Sequence, residues 1–324
     1  MLSFRIVKLG LEGQISETEI PTPGPGEILL EIHACALNFA DLLMVEGRYQ
    51  DTPPLPFTPG LECAGRIAAM GNDISDFQIG DRVAVFGGQG GLAEYGLFDA
   101  ARAIRIPDSV SYDTAAASMI AYGTSLLALE QQARLQPGET LLVTGAAGGV
   151  GLTAVEIGKL LGARVVAQAR GTEKLAIAQA AGADHLIDGS EDLRQRLLDL
   201  GGADVVYDAV GGETWKAAFR ATNPGGRLLP IGFAGGDVPQ IPANRLLVKN
   251  LTVIGFYLGG LVKLNPEIGR TTFDKLMGWL AEGRITPHIS HRLPLAETNR
   301  GLALLRDRTA TGKVIMQPRA APLA

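Results

Sequence analysis

The stretch TLLVTGAAGGVGLTAV, Thr140–Val155, runs from a short apolar segment through a glycine-rich turn into a helical pattern. A dinucleotide-binding unit needs glycines at this junction. They permit a tight turn, let backbone N–H groups approach a pyrophosphate, and let the helix pack closely on the strand. The N–H groups of Ala147, Gly148, Gly149 and Val150 fall at the start of that helix, where the macrodipole favours an anion. Ala146 occupies the first glycine position of the G-x-G-x-x-G pattern. The pattern alone is therefore weak, and a glycine-rich turn without a ligand is the plain alternative.

The flanking sequence supplies the missing context. Downstream, short apolar runs at Arg164–Ala169, His185–Ile187, Asp204–Tyr207, Arg227–Ile231 and Leu251–Gly255 alternate with helical patterns at Val150–Leu161, Glu173–Ala181, Glu191–Leu200 and Glu213–Thr222. Repeated β-α-β units of this size predict a doubly wound parallel sheet, and continuously apolar runs such as LLV and VVY suit strands buried on both faces. Upstream, an Ala/Leu-rich helix is expected over Thr114–Gln132. Before it, turn signals such as PTPGPG (21–26) and Pro59-Gly60 separate short runs at Ile28–Ala34, Gly65–Met70 and Arg82–Phe86. That texture predicts an antiparallel barrel, interrupted by one helical turn near Asn38–Val45. After a helix at Thr271–Glu282, His288–Leu293 and Gly312–Met316 again look like barrel strands, so the nucleotide unit reads as an insertion.

The second strand of the parallel sheet governs coenzyme choice. An NAD site would place Asp or Glu about 20 residues beyond the glycines, to bind the ribose hydroxyls. Ala169 and Arg170 stand there instead. Arg170 and Lys174 offer cations for a 2′-phosphate, through charge-assisted hydrogen bonds worth roughly 1.5–3 kcal/mol each. NADPH is thus expected over NADH, with simple solvation of a helix start as the alternative role for this pair.

Composition narrows the function further. The 324 residues suggest about two domains by the usual domain size. The net charge of −5, with no basic run, argues against nucleic acid. The longest uncharged stretches, Thr114–Leu129 and Thr140–Val155, fall short of the roughly 18 to 20 apolar residues of a membrane span. Charges at Arg5, Lys8 and Glu12 interrupt any apolar core of a secretion signal. Only two cysteines, Cys35 and Cys63, are present, and a reducing, cytoplasmic setting is expected.

LNFADLLMVEGRYQ (37–50), PFTPGLECAG (56–65), GGLAEY (90–95), VTGAAGGVG (143–151), DVVYDAVGG (204–212) and ATGKVIM (310–316), in this order, resemble the zinc-independent, zeta-crystallin-like quinone oxidoreductases of the medium-chain dehydrogenase/reductase superfamily. The resemblance spans nearly the whole chain. It implies an α/β protein with a GroES-like β-barrel catalytic domain, residues 1–120 and 263–324, and an inserted Rossmann-type domain, residues 121–262, with a cleft between them. It also implies NADPH-dependent reduction of quinones or other activated enones. Metal-dependent relatives carry a Cys near the position of Asn38 and a His within the segment that here reads Gly60-Leu61-Glu62. Neither ligand is present, and two cysteines cannot close a tetrahedral site. No metal is therefore expected. His288 and His291 lie in an extended, proline-bounded context.

The same resemblance implies the site residues. Asn38 and Asp41, three apart on one helical turn, border the nicotinamide end. Asn38 is expected to donate to a ribose hydroxyl or to the substrate oxygen. Asp41 orients Asn38 or a water, or only caps the turn. Tyr49 matches a family tyrosine whose phenol can bond the developing hydroquinone oxygen. Thr124, Val210, Phe233, Phe256 and Lys313 transfer as cofactor neighbours. Leu43 and Gly189 are departures, since some relatives carry tyrosines there; the first makes the pocket more apolar, and the second leaves more of the 2′-phosphate recognition to Arg170 and Lys174. The segment Leu251–Leu258 is expected to end the parallel sheet at an edge, covered by a two-fold dimer contact or by a helix. A reductase of enoyl thioesters and an NADPH-binding protein with little turnover are the rival readings.

Overall fold

The computed structural model describes residues 1–319, and residues 320–324, the end of the expected barrel segment, lie outside the described residues. The chain forms two compact units, Met1–Ile120 with Arg270–Ala324, and Ala121–Gly269. The return crossing lies inside the helix Pro266–Ala281, with no loop to mark it.

The first unit is built on the long strand Glu27–Leu37. Glu62–Met70, Tyr95–Asp99 and Lys313–Gln317 pair with it antiparallel. Arg82–Phe86 then pairs with Glu62–Met70, and Ala103–Arg105 with Arg82–Phe86. Ile289–Pro294 completes this seven-stranded sheet, running parallel to Lys313–Gln317. One face is apolar: Ile28, Leu30, Val83, Val314 and Met316 are inaccessible to solvent. At about 25 cal/mol per Å² of apolar surface, this burial is what holds the sheet closed around its core. Gly60 sits at φ +106°, where an added Cβ would meet the Leu92 backbone nitrogen at 2.5 Å, so this turn needs glycine on both counts.

The second unit is a six-stranded, wholly parallel sheet. Its spatial order is His185–Asp188, Arg164–Ala169, Thr140–Thr144, Ala203–Asp208, Thr222–Pro230 and Thr252–Val253. This is a Rossmann-type order, with the sequence reversing between Thr140–Thr144 and Ala203–Asp208. Ligands bind beyond the carboxyl ends of the strands at such a switch point. Helices Gly149–Leu160, Thr172–Ala180, Leu193–Asp199 and Gly212–Ala221 connect the strands. Leu142, Val166, Val206 and Leu228 form the buried centre.

Two elements depart from the sequence expectation. The helix expected over Thr114–Gln132 is broken into Tyr112–Ala116, Met119–Leu126 and a wider π turn at Leu127–Gln132. The Glu62 carboxylate takes the Ile120 N–H (2.7 Å), and Ser118 Oγ donates to the Thr114 carbonyl (2.6 Å), so side chains compete with the helical ladder at the break. The strand expected over Leu251–Gly255 is reduced to Thr252–Val253, because the Leu251 N–H is used on the Leu246 carbonyl closing the preceding helix, Ala243–Lys249. That helix buries no residue, so it left no amphipathic signal.

Candidate active site

In the nucleotide unit, the chain leaves Thr140–Thr144 through Gly145, at φ +62°, and enters the helix at Gly149. The Gly148 N–H closes the turn on the Gly145 carbonyl (2.9 Å) and the Leu152 N–H opens the helical ladder on the Gly148 carbonyl (2.9 Å), so the N–H groups of Gly149, Val150 and Gly151 precede the ladder. A Cβ at Gly151 would lie 2.2 Å from the Gly145 carbonyl oxygen. The helix therefore approaches the strand as closely as glycine alone allows. Ala147, Gly148, Gly149 and Val150 sit together on this turn.

Beyond the second strand, Arg170 is exposed and Lys174 half-buried. A Cβ at Gly189 would meet Arg170 Cγ at 2.7 Å, so the absent side chain at 189 is the space the Arg170 stem runs through. Asp188 accepts the Gly171 N–H (2.7 Å) together with the Ser190 N–H and hydroxyl, and these bonds hold its carboxyl below the usual range. They also tie the loop after Arg170 to the third strand.

The loop after Ala203–Asp208 hangs on Asp208, a residue the sequence reading passed over. Its buried carboxylate accepts the Thr144 hydroxyl and the Val210 and Gly211 N–H groups (3.3 and 2.9 Å), while burial pushes its pKa up. Val210 is thereby fixed beside the Gly145 turn, its Cγ2 3.1 Å from where a Cβ of Gly145 would stand. Phe233 is exposed, and half-buried Phe256 lines a groove with Gln132, Tyr257 and Leu261. Thr124 is buried on Met119–Leu126. Its neighbour Ser125 bonds the Tyr207 hydroxyl (3.0 Å) and Thr153 Oγ1 (2.7 Å), and Thr153 donates to the Ala121 or Val150 carbonyl. This chain of three hydroxyls braces the first turn of the glycine-loop helix from below. Isolated Ser, Thr and Tyr carry no sequence signal of such a network.

In the barrel unit, Asn38 precedes the helix Phe39–Val45 and Asp41 lies in its first turn. Asp41 is fully buried; its carboxylate accepts the Asn38 N–H (2.8 Å) and the Gly60 N–H (3.0 Å). It caps the turn and pins the Gly60 loop to it. Burial pushes its pKa up to about 6, against the lowering effect of the two backbone N–H groups. The Asn38 side chain turns away to a buried charge pair: Lys313 Nζ donates to Asn38 Oδ1 (2.7 Å), Glu62 Oε1 (2.7 Å) and the Leu37 carbonyl (3.0 Å). Asn38 Nδ2 donates to Glu62 Oε1 (2.8 Å) and to the Ala36 carbonyl (3.3 Å). Lys313 is thus committed on all three protons inside the barrel unit. Glu62 was missed from sequence as anything but a lost ligand position; a carboxylate amid LECAG, on an apolar strand, was the available signal. Tyr49 packs half-buried against the barrel core. Among the described residues, no three His, Cys, Asp or Glu side chains gather in a metal-holding group.

Comparison with known proteins agrees with this architecture. The alcohol dehydrogenase GroES-like domain model matches residues 24–108, and the zinc-binding dehydrogenase model matches residues 149–282. The chain is 39% identical over 300 residues to quinone oxidoreductase-like protein 2 homolog of Nematostella vectensis, covering 90% of this chain and 82% of the relative. It is 38% identical over 308 residues to the Bos taurus quinone oxidoreductase-like protein 2, covering 93% and 88%. The structure of Escherichia coli quinone oxidoreductase complexed with NADPH superposes with a TM-score of 0.92 at 28% identity, over 98% of this chain and 100% of that one. The barrel unit is thus GroES-like, its partner is a Rossmann-type domain, and the chain belongs to the zinc-independent quinone oxidoreductase branch of the medium-chain dehydrogenase/reductase superfamily.

Proposed function

We propose that this oxidoreductase binds NADPH and reduces quinones and other activated enones. The observation that carries the cofactor is the cradle at Gly145–Gly151: backbone closed to 2.2 Å from a would-be Cβ, with N–H groups free of the helical ladder at its mouth. The N–H groups of Ala147, Gly149 and Val150 hold the pyrophosphate on a turn that Gly148 closes by donating its own N–H to the Gly145 carbonyl, and Arg170 and Lys174 hold the 2′-phosphate. Thr124, Val210, Phe233 and Phe256 line the rest of the nucleotide. Bound NADPH supplies a hydride, and a quinone or enone brings its own electrophilic carbon, so binding and orientation are the protein's main task. In the barrel unit, Asp41 fixes the backbone of Asn38, and the Tyr49 phenol donates to the oxygen that gains charge.

We further propose a homodimer through the edge of the parallel sheet. Leu247 and Val248, each 77% exposed on a helix that buries nothing, flank the two-residue strand Thr252–Val253 and leave an apolar edge to cover. No helix among the described residues is long and apolar enough to cross a membrane. The free, buried thiols of Cys35 and Cys63 suit the cytoplasm.

The test is oxidation of NADPH and of NADH by chelator-treated protein, with a naphthoquinone, a simple enone and crotonyl-CoA as acceptors. Quinone-dependent turnover with NADPH is the expected result. Turnover with crotonyl-CoA alone reassigns the enzyme to enoyl thioesters, and NADPH binding without any reduction reassigns it to a binding protein.

A further inference from the structure

We infer that Gln168 is a specificity-determining residue of the nucleotide site, its side-chain NH2 donating to the 2′-phosphate of NADPH in the space beside Gly189. The inference rests on the NADPH reading above and adds a neutral donor to the two cations assigned there.

Gln168 is the next-to-last residue of the strand Arg164–Ala169, where it pairs with Thr144 on one side and Ile187 on the other. It stands between the strand that feeds the glycine turn and the strand that feeds the Gly189 loop. The residue is only 8% exposed. Burying an amide costs free energy unless its groups find partners, and here one end has a partner. Oε1 accepts the Gly145 N–H at 3.5 Å. Nε2 donates to no group among the described residues, yet it is not sealed in, as the Tyr112 hydroxyl, Trp215 Nε1 and Arg227 Nε are. Its two protons open outward at the strand end.

The surroundings of Gly189 show where they open. A Cβ at Gly189 would stand 3.3 Å from Gln168 Nε2 and 2.7 Å from Arg170 Cγ. The amide and the Arg170 stem thus flank one space that glycine leaves empty. The neighbouring Asp188 carboxylate is committed to the Gly171 and Ser190 N–H groups.

Amide orientation follows from the donors and acceptors around it. A flipped amide would set NH2 against the Gly145 N–H, donor to donor, and present Oε1 to the space beside Arg170. A phosphate there favours the observed orientation, since an NH2 donates to its oxygens and an amide oxygen repels them. Sites that select NADH place a carboxylate near this strand end to accept the ribose hydroxyls. Gln matches Glu in shape and reach, but its NH2 reverses the hydrogen-bonding sense at one of the two terminal atoms.

Full-length Gln168→Leu and Gln168→Glu test this, through dissociation constants for NADPH, NADH and adenosine 2′,5′-bisphosphate. Gln168→Leu keeps the approximate size and removes the donor. It should bind NADPH and the bisphosphate about tenfold more weakly and NADH within about threefold of the unmodified protein. Gln168→Glu should weaken NADPH by at least about thirtyfold, because its charge faces the phosphate, and hold NADH within about threefold. Equal losses for NADPH and NADH in Gln168→Leu, or no loss for the bisphosphate, overturn the inference.

A second measurement needs no variant. In protein labelled with ¹³C and ¹⁵N, the Gln168 side-chain NH2 signals, assigned through the residue's own carbons, should shift on adding adenosine 2′,5′-bisphosphate and not on adding adenosine 5′-phosphate. A shift with both, or with neither, overturns the inference. If the bisphosphate shifts these signals but NADPH is oxidised with no acceptor, the functional reading falls and the Gln168 site stands. If the unmodified protein binds neither NADPH nor the bisphosphate, both fall.

Discussion

The carboxylate of Asp41 accepts the Gly60 N–H at 3.0 Å from a site with no solvent exposure. One buried side chain thus joins the first turn of the Phe39–Val45 helix to the glycine turn before Glu62. Its pKa is raised from 3.8 unfolded to about 6, with burial the largest cause. A raised carboxyl pKa contributes stability that is complete below the unfolded value and is lost as pH climbs through the folded one. From pH 4 to 6.5 the protein should therefore lose up to about 3 kcal/mol relative to Asp41→Asn, which carries no titrating group there. Urea denaturation of both proteins across this range checks the sign; a gain of relative stability with rising pH would refute it.

Gly151→Ala should be among the most damaging single methyl additions in the nucleotide unit. The new Cβ would stand 2.2 Å from a backbone oxygen that cannot rotate away. Overpacking of this kind costs typically 1–3 kcal/mol, and the displaced helix should weaken NADPH binding at least tenfold. Gly278→Ala is the control: it lies in the Pro266–Ala281 helix with nothing within 4 Å, and should be neutral or stabilising by up to about 1 kcal/mol. Thermal melts and fluorescence titration of both variants separate the two cases.

Coenzyme preference should follow the cations after the second strand. Replacing Arg170 and Lys174 together with Ala is expected to reduce NADPH affinity by at least tenfold and leave NADH affinity within about twofold, the loss expected for charge-assisted contacts. Equal losses for both coenzymes would mean that the pair does not read the 2′-phosphate. Gly189→Leu should act in the same direction, since its side chain would enter the path of the Arg170 stem.

The hydroxyl chain Tyr207–Ser125–Thr153 predicts an asymmetry. Tyr207→Phe removes one end and leaves Ser125 bonded to Thr153 and near the Val150 carbonyl, so it should cost about 1 kcal/mol. Ser125→Ala removes the middle and strands the buried Tyr207 hydroxyl, so its cost should be greater by about 1–2 kcal/mol. Denaturant melts of the two variants test the order, and the reverse order would show that the chain is not continuous.

The element pattern of the nucleotide unit was largely readable because parallel strands buried on both faces must be apolar along their length, and the glycines at 145, 148, 149 and 151 punctuate the first turn. The strands Thr140–Thr144, Arg164–Ala169 and Ala203–Asp208 lie within a residue or two of their expected limits. In the barrel unit the strands Glu27–Leu37, Glu62–Met70 and Arg82–Phe86 and the short helix at Phe39–Val45 were legible for the related reason that turns in this region require Gly and Pro, whereas the strands Tyr95–Asp99 and Ala103–Arg105 were not singled out.

What sequence alone could not supply were relationships made by distant polar groups. Glu62, Lys313 and Asn38 are far apart in the chain and meet only when three strands and a helix turn close together. Glu62 also breaks the Thr114–Gln132 helix by claiming the Ile120 N–H, overriding a strong local preference with one buried carboxylate. Asp208 and the Ser125 chain act in the same way on the loops and the first helical turn. Local pattern is set by nearest-neighbour sterics and by the period of apolar residues, so it is written along the sequence. The partner of a buried polar group is chosen by the cost of leaving it unpaired, which depends on what the folded chain brings within about 3 Å, and only the tertiary structure decides that.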